Sequence, residues 1–349
     1  MGKREIVEVR ANCALDLLRM GCALLVVWIH AVMWHAGAVG NAIYAIGHVA
    51  PPVFFLISGY FWRGASGVFE AAQAKRKTLR AVRMAIVWTA AYFAFSVALN
   101  AALNGRLNAL TLGQWLPMAL APRSLLHYVV FQASVGYGVH TWYLSSAALS
   151  YLLMWGFYRL RLERMRLPLA LSLLAVHTAL HAAVVLLEIP GVPAEYLRNG
   201  WLVGFPLMLL GDWMRGAPLK KIPVWVWALA SLVGLTFPVL EFFGFNFFRE
   251  YLPGTIFEAF SLVALAICAG TNVDRPWAAG LRRFSRTLYL WHMMLVAPLQ
   301  LLADARHAGA WAYLAIALAA VLGCLAIHAV KGRLCAAKGK LRLKGCRDK

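Results

Sequence analysis

The 349-residue sequence has few charged residues, and acidic residues are the scarcer kind. Asp and Glu number 14 against 34 Lys and Arg, and charged residues make up only 14% of the chain. A soluble domain has about 25%. Hydrophobic residues make up 62% of the chain, and the mean hydropathy is +0.68. Because so few charged residues cannot cover a water-facing surface, the composition excludes a soluble globular protein. It indicates a polytopic membrane protein.

The sequence also lacks the short motifs of several well-known enzyme classes. It contains no P-loop, no G-x-G-x-x-G, no H-E-x-x-H and no G-x-S-x-G. These motifs cradle phosphates, hold zinc or present a nucleophilic serine. Their absence disfavours ATP-driven transport and several soluble hydrolase chemistries.

Long apolar runs are abundant. Ten of them approach the about 20 residues that a helix needs to span a bilayer. They lie at 14–34, 42–62, 84–101, 139–158, 168–188, 199–214, 222–243, 254–272, 284–302 and 310–330. The first run follows several basic residues, as in a signal peptide, but its length and the lack of a cleavage site favour a retained helix. We therefore predict an all-α polytopic membrane protein with about ten transmembrane helices.

The distribution of basic residues predicts the orientation. With the N-terminus in the cytoplasm, the outer side holds only Arg106, Arg123, Arg198, Arg249 and Arg306 of the 34 Lys and Arg. Every inner loop then obeys the positive-inside rule. We expect both termini to be cytoplasmic. The expected organisation is a cytoplasmic segment at 1–13, a ten-helix membrane domain at 14–330 and a basic cytoplasmic tail at 331–349.

The first apolar run, LDLLRMGCALLVVWIH, contains ionisable residues at Asp16, Arg19 and His30. Such residues are costly inside a membrane and are functional candidates by default. Eleven residues separate Arg19 from His30, so both project from one helix face about 16 Å apart. Asp16, one turn before Arg19, can hold its guanidinium. Alternatively, Arg19 reaches the lipid headgroups and His30 is a hydrogen-bonded interior residue. Their shared face favours a polar path or site.

Two further groups of polar residues have open interpretations. The segment AKRKTLRAVR places Lys77 beside a helical stripe of Arg76, Arg80 and Arg83, which suits either lipid headgroups or the phosphates of a nucleotide-like donor. His177 and His181 have the i, i+4 spacing of metal ligands, but no nearby acidic residue or cysteine completes the set. We predict no metal site.

Several motifs are shared with a known family. The first helix reads L-D-x-L-R, ten further residues and a histidine, and the second reads F-F-x-x-S-G-Y at 54–60. KTLRAVR, Trp142-Tyr143-Leu144, NGWLVGFPLMLLGDWM and S-x-x-L-Y-L-x-H at 285–292 follow in that family's order. The chain resembles the membrane acyltransferase-3 family, whose bacterial members O-acetylate surface and exported polysaccharides. It departs by having Ser146 and Ala147 where one branch has a glutamate, and we expect the short form of the family, without a C-terminal SGNH domain.

This resemblance implies transfer of an acyl group from cytoplasmic acyl-CoA to a hydroxyl of a sugar, cell-surface polysaccharide or lipid-linked glycan. Acetyl is the acyl group expected first. No bound cofactor and no nucleic acid are expected, and the location is the bacterial inner membrane. The implied catalytic residues are His30 as general base, Arg19 and Asp16. The expected donor-binding residues are Arg76, Lys77, Arg80, Arg83, Ser58 and Tyr60. Acceptor-binding or supporting roles are expected for His35, His48, His140, Trp142, Tyr289 and His292.

Two other functions fit the same polar residues. A secondary transporter or exporter of a glycan or small polar solute also needs buried Arg and His for substrate or proton relays. A scaffold subunit of a glycan-assembly complex would use them for packing. Acyl-CoA-dependent product formation distinguishes the enzyme from both alternatives, and solute flux without acyl-CoA would favour the transporter.

Overall fold

The computed structural model describes residues 11–32, 37–187, 189, 192, 196–244, 253–270 and 275–347. Over these residues the fold is helical, with an isolated Val135–Gly138 bridge and no β-strand. The helices are α1 (Cys13–Ala31), α2 (Gly37–Gly47), α3 (Ala50–Tyr60), α4 (Ala71–Leu103), α5 (Leu112–Leu120), α6 (Pro122–Val130), α7 (Thr141–Arg159), α8 (Arg166–Leu186), α9 (Phe205–Gly216), α10 (Val224–Gly234), α11 (Thr236–Gly244), α12 (Pro253–Ala269), α13 (Pro276–Ala305) and α14 (Ala310–Arg347).

Over the residues that the structure describes, the ten predicted apolar runs coincide with helical structure. Seven helical segments in the described part of the chain are long and apolar enough to cross a membrane, among them α2–α3 and α10–α11, each counted as one bent segment. The other three runs are α7, the 17-residue α12, and α9 preceded by a π-helical turn at Gly200–Gly204. The prediction of an all-α polytopic membrane protein is confirmed. The cytoplasmic location of both termini stays a prediction.

The second predicted run is interrupted where the prolines stand. Helix α2 ends at Gly47 and α3 begins at Ala50, with Pro51 and Pro52 in its first turn. Proline is tolerated there because the first backbone N–H groups of a helix have no partner within the helix. Between the two helices, His48 and Val49 form a two-residue break just before the proline pair.

Two glycines bring α3 and α9 into close contact. A Cβ on Gly59 would overlap the carbonyl oxygen of Met208, and a Cβ on Gly211 would overlap that of Leu56. Small residues at helix contacts let backbones approach closely inside membranes, where packing drives association. The Ser58-Gly59-Tyr60 element is therefore held directly against α9.

Helix α4 packs against α7 along a seam of small residues. Thr78 on this seam donates its hydroxyl to the carbonyl oxygen of Tyr151 at 3.2 Å. The opposite face of α4 exposes apolar side chains such as Ile86 and Val87 to the surroundings, as expected for a face in contact with lipid. The buried seam residues are Ala74, Thr78, Ala81 and Ala85.

Helix α1 lies along α13 and is bound to it near both ends. Near its start, Asp16 is 3.6 Å from Arg282. At its end, the Gln300 side chain donates to the carbonyl oxygens of His30 (2.5 Å) and Ala31 (3.2 Å), which have no partner within the helix. The two connections fix the register of α1 against α13, so the polar residues of both helices face each other.

The long connection after α4 contains two short helices. Thr111 caps α5 in a reciprocal capping box with Gln114, and α6 begins at Pro122. Apolar side chains remain exposed on both helices, including Met118, Leu126 and Val129. The apolar stretch TLGQWLPMALAP in this connection indicates a segment that dips into the membrane or lies on its surface, and the exposed apolar residues fit either placement.

Candidate active site

A cavity of about 650 Å³ opens where α1, α3, α4, α7 and α13 meet. The described residues that line it include no acidic side chain. Helices α1, α4 and α13 each contribute at least one cation. Clustered guanidinium and ammonium groups favour an anionic ligand, and arginine pairs with phosphate in a bidentate manner. The basic lining residues are Arg19, Lys77, Arg80, Arg282 and Arg286.

Asp16 lies behind two of these cations and orients both. Its carboxylate is 1% exposed, 2.8 Å from the Arg19 guanidinium and 3.6 Å from that of Arg282. A buried carboxylate is tolerated only when paired with cations. The role suggested by the sequence, holding Arg19, extends in the structure to Arg282 on α13.

Lys77 lines the cavity and also binds the end of α3. Its ammonium donates to the carbonyl oxygens of Phe61 (2.6 Å) and Trp62 (2.8 Å). Carbonyls at a helix C-terminus have no partner within the helix and carry partial negative charge, so a lysine is stabilising there. Two of its three N–H donors are therefore already used.

Arg215 shapes the rim of the cavity. It donates to the carbonyl oxygens of Gly64 and of Ala65, the latter at 2.7 Å, and both of these residues line the cavity. Two hydrogen bonds from one planar guanidinium give the loop after α3 a defined position.

Asp212 organises the support of the same loop. Its buried carboxylate accepts from Arg63 (2.6 Å), Tyr158 (2.5 Å) and Arg166 (3.5 Å). Arg63 also donates to the carbonyl oxygen of Gly67 at 2.8 Å. This network joins α7, α8 and α9 to the loop at the cavity rim.

Three aromatic rings close the inner end of the cavity, and we call them the aromatic collar: Phe54, Tyr143 and Tyr289. Their ring centroids lie 5.4–5.9 Å apart in edge-to-face arrangements, the favoured geometry for aromatic pairs. Tyr289 donates its hydroxyl to the carbonyl oxygen of His140 at 2.8 Å. The collar is thereby bound to the start of α7.

Three histidines meet behind the collar, and we call them the histidine trio: His30 of α1, His140 at the start of α7 and His292 of α13. Ring centroids are 6.4 Å apart for His30–His140, 5.4 Å for His30–His292 and 4.7 Å for His140–His292. The Tyr289 ring lies 5.2 Å from that of His140. Tyr289, which lines the basic cavity, therefore also contacts imidazoles, the side chain best suited to acid–base chemistry near neutral pH.

Many of the residues predicted from sequence are brought together here. The cavity is lined by Arg19, Ser58, Lys77, Arg80 and Tyr289, and the histidine trio accounts for His30, His140 and His292. Asp16 supports them. The sequence places Arg19 and His30 on one face of α1, three turns apart. In the structure Arg19 lines the cavity and His30 belongs to the trio.

Other predicted residues lie elsewhere in the fold. Arg76 and Arg83 are exposed on α4 and do not line the cavity, and Tyr60 is buried with its ring 5.1 Å from that of Phe61. His48 contacts the ring of Tyr44, and Trp142 lies under the guanidinium of Arg198 at 5.3 Å. The prediction for His35 falls outside the described residues.

Sequence reasoning missed the contribution of the start of α13. Arg282, Ser285 and Arg286 line the cavity together with Tyr289. Their spacing of i, i+3, i+4 and i+7, continued at i+10 by His292, places them on one helix face. That stripe was readable in the sequence, but only the Ser285–His292 motif was noticed. Gln73 and Tyr143 were also missed, and no spacing signal points to either.

The histidine pair of α8 is separate from this site. His177 and His181 are buried with ring centroids 4.6 Å apart. Across the described residues, no group of three or more His, Cys, Asp or Glu is arranged to hold a metal ion. A two-residue pair falls short of the three or four protein ligands of a zinc site.

The fold and site together define a multi-pass α-helical membrane protein with a basic cavity leading to buried acid–base groups. An acyltransferase family model, Acyl_transf_3, described as an acyltransferase domain, matches residues 12–329. The chain therefore belongs to this family of membrane acyltransferases, which confirms the resemblance read from the motifs. Comparisons with curated proteins and with solved structures found no match.

Proposed function

We propose that the protein transfers an acyl group from acyl-CoA to a hydroxyl of a sugar, cell-surface polysaccharide or lipid-linked glycan. Acetyl is the first candidate for the acyl group, and the reaction takes place at the bacterial inner membrane. The observation that carries this proposal is the continuity of the basic cavity, the aromatic collar and the histidine trio. A charged donor is bound at one end, and proton transfer is available at the other.

The cavity suits the nucleotide part of a CoA thioester. That part carries several phosphate charges, and the cavity offers five basic side chains without an acidic lining residue among those described. Its volume of about 650 Å³ is in the range of sites that enclose a ligand of this kind. Arg19 and Arg282, held by Asp16, are the best-oriented phosphate ligands because their guanidiniums are already fixed.

The separation of the two ends matches the donor's shape. Arg19 and His30 are about 16 Å apart along α1. A pantetheine arm held by its phosphates in the cavity would extend past the collar, placing the thioester near the trio. The general-base chemistry that the resemblance implies for His30, toward the acceptor hydroxyl or a transfer intermediate, fits the histidine trio to which His30 belongs.

The experiment is CoA release from acetyl-CoA by the purified protein in nanodiscs, with a mixture of membrane glycans as acceptor. His30→Ala should reduce the rate by about 10²–10⁴-fold with normal membrane insertion, because it disrupts the trio that supplies the general base. The matched control is His181→Ala, which removes a histidine of α8 outside the trio and should leave the rate unchanged.

Equal rates for wild type and His30→Ala would overturn the assignment of His30. Absence of both CoA release and acetyl-CoA binding would overturn the acyl-CoA-dependent reaction itself. Solute flux in proteoliposomes without acyl-CoA would then favour the transporter.

A further inference from the structure

Two histidines of the trio have buried ring nitrogens without a hydrogen-bond partner in the described part of the protein. These are both nitrogens of His140 and Nε2 of His292, whose residues are 2% and 0% exposed. An unsatisfied buried polar atom is costly, so such atoms call for an explanation. The two rings that carry them lie side by side, with centroids 4.7 Å apart.

The backbone determines which nitrogen of His292 carries the proton. Nδ1 lies 3.1 Å from the carbonyl oxygen of Leu288 and 2.9 Å from that of Tyr289. Carbonyl oxygens only accept hydrogen bonds, so Nδ1 is the donor. In the neutral ring Nε2 then has a free lone pair, and His292 is fixed as a proton acceptor at that atom.

His140 supplies the complementary group. A neutral imidazole has one N–H donor and one acceptor nitrogen, and neither nitrogen of His140 is used by the described protein atoms. An N–H from one ring and a lone pair from its neighbour match a single hydroxyl, which accepts the first and donates to the second. A protonated amine has no lone pair to accept the N–H, and a carbonyl group has no proton to donate to the lone pair.

We propose that His140 and His292 form the binding subsite for the acceptor hydroxyl, and that His292 Nε2 takes its proton. This proposal rests on the proposed acyl transfer. The hydroxyl oxygen forms a bond to the acyl carbon, the C–S bond of the thioester breaks, and the electron pair leaves with sulfur. The proton held on His292 then passes to the CoA thiolate, so the products are the ester and CoA–SH and no further reactant is needed.

The arrangement divides the work within the trio. His30 stacks on His292 with an angle of 21° between the ring planes, and it is only half-buried. Stacking positions the His292 ring without occupying Nε2. Tyr289 adds a second constraint, because its hydroxyl binds the carbonyl oxygen of His140 and its own carbonyl accepts from His292.

The kinetic test uses single-turnover acetyl transfer in nanodiscs between pH 5 and 8.5 for wild type, His292→Gln and His181→Gln. A base accepts a proton only when neutral, so the wild-type rate rises with pH and levels off. His292→Gln should lower that plateau by about 100-fold or more and abolish the levelling-off, with acetyl-CoA affinity retained. His181→Gln, which removes a buried histidine of α8, should keep the wild-type profile.

A His292→Gln rate within about threefold of wild type with the same pH profile would overturn the assignment, since a general base contributes far more. Acetyl-CoA affinity lost together with the rate would also overturn it, because this would mark a structural role. His292→Asn repeats the test if the glutamine variant does not fold.

A second readout does not depend on turnover. In proteoliposomes with ¹⁵N-labelled histidine, the signal lost in His292→Gln should show a protonated Nδ1 and an unprotonated Nε2 at neutral pH. The opposite tautomer would refute the His292 assignment even if acyl transfer is active. The expected tautomer without any acyl transfer would overturn the proposed function and, with it, the step assigned to His292.

Discussion

At the scale of single residues, the site depends on a few buried groups that hold their neighbours rather than face the cavity. Asp16 is the clearest case, because one carboxylate serves Arg19 on α1 and Arg282 on α13. The contact with Arg19 is a hydrogen bond of 2.8 Å, a kind that contributes about 1.5–3 kcal/mol when a charged group takes part, and the contact with Arg282 is an ion pair at 3.6 Å. Positioning of this kind affects binding of a charged donor more than the chemical step.

Replacing Asp16 tests this separation. Asp16→Asn keeps the shape but removes the charge that holds the two guanidiniums, so the KM for acetyl-CoA should rise about tenfold, equivalent to 1.4 kcal/mol, with kcat nearly unchanged. Steady-state CoA release in nanodiscs measures both. Asp304→Asn, a substitution at the far end of α13, is the control and should leave both constants unchanged. A fall in kcat at constant KM would contradict the positioning role.

The sequence predicted the residues of α1 well and those of α13 poorly. Arg19 and His30 stand out because ionisable side chains in an apolar run are rare, and helical geometry alone places them on one face. Arg282 precedes the apolar run of their helix and Arg286 lies in its first turn, where basic residues are ordinary topology signals. Only the packing of α1 along α13 shows that they join the cavity. The pairing of His140 with His292 likewise depends on tertiary contacts.

At the scale of helices, the position of the cavity depends on how closely α3 and α9 pack. Gly59 and Gly211 each lie against a backbone carbonyl of the other helix. A side chain at either position has no flexible neighbour to displace, so the helices themselves must separate. Because α3 contributes Phe54 and Ser58 to the cavity, separation would also change the site.

Gly59→Ala should therefore destabilise the protein by about 1–3 kcal/mol, the usual cost of overpacking. Thermal unfolding in detergent should show a lower Tm than wild type. The control is Gly156→Ala on α7, where a Cβ meets no atom within 4 Å, and where alanine should be neutral or slightly stabilising. Equal Tm values for Gly59→Ala and Gly156→Ala would refute the close α3–α9 contact.

The Asp212 network makes a second prediction at this scale. Asp212→Asn leaves the Arg63 guanidinium beside a neutral group in a largely buried site, and breaking such a pair costs about 3–5 kcal/mol. Tyr158→Phe removes one neutral donor and should cost only about 1 kcal/mol. Thermal unfolding of both variants measures the order. A larger loss for Tyr158→Phe would contradict the account of the network.

At the scale of the whole molecule, the charge pattern predicts which end of the bundle faces the cytoplasm. The fold class followed from composition and run length because bilayer thickness dictates helix length. The interruptions of the helices are harder to predict from sequence. Prolines stand at the break between α2 and α3, whereas the π-helical turn before α9 has no recognised sequence signal.

Site-directed labelling tests the orientation. In a cysteine-free background, a membrane-impermeant maleimide should label Arg106→Cys in intact spheroplasts, because this exposed position lies in a predicted outer connection. The exposed Lys220→Cys should be labelled only after the membrane is permeabilised. The reverse pattern would invert the topology and place the basic cavity on the outer side.

Equilibrium binding of acetyl-CoA in nanodiscs shows whether the basic cavity binds the acyl donor. Arg282→Gln/Arg286→Gln removes two lining cations, while Arg76→Gln/Arg83→Gln removes two exposed cations from α4 that do not line the cavity. The first variant should bind about tenfold or more weakly, and the second should stay within about threefold of wild type. Stronger weakening in the second variant would contradict the claim and return donor binding to the α4 stripe.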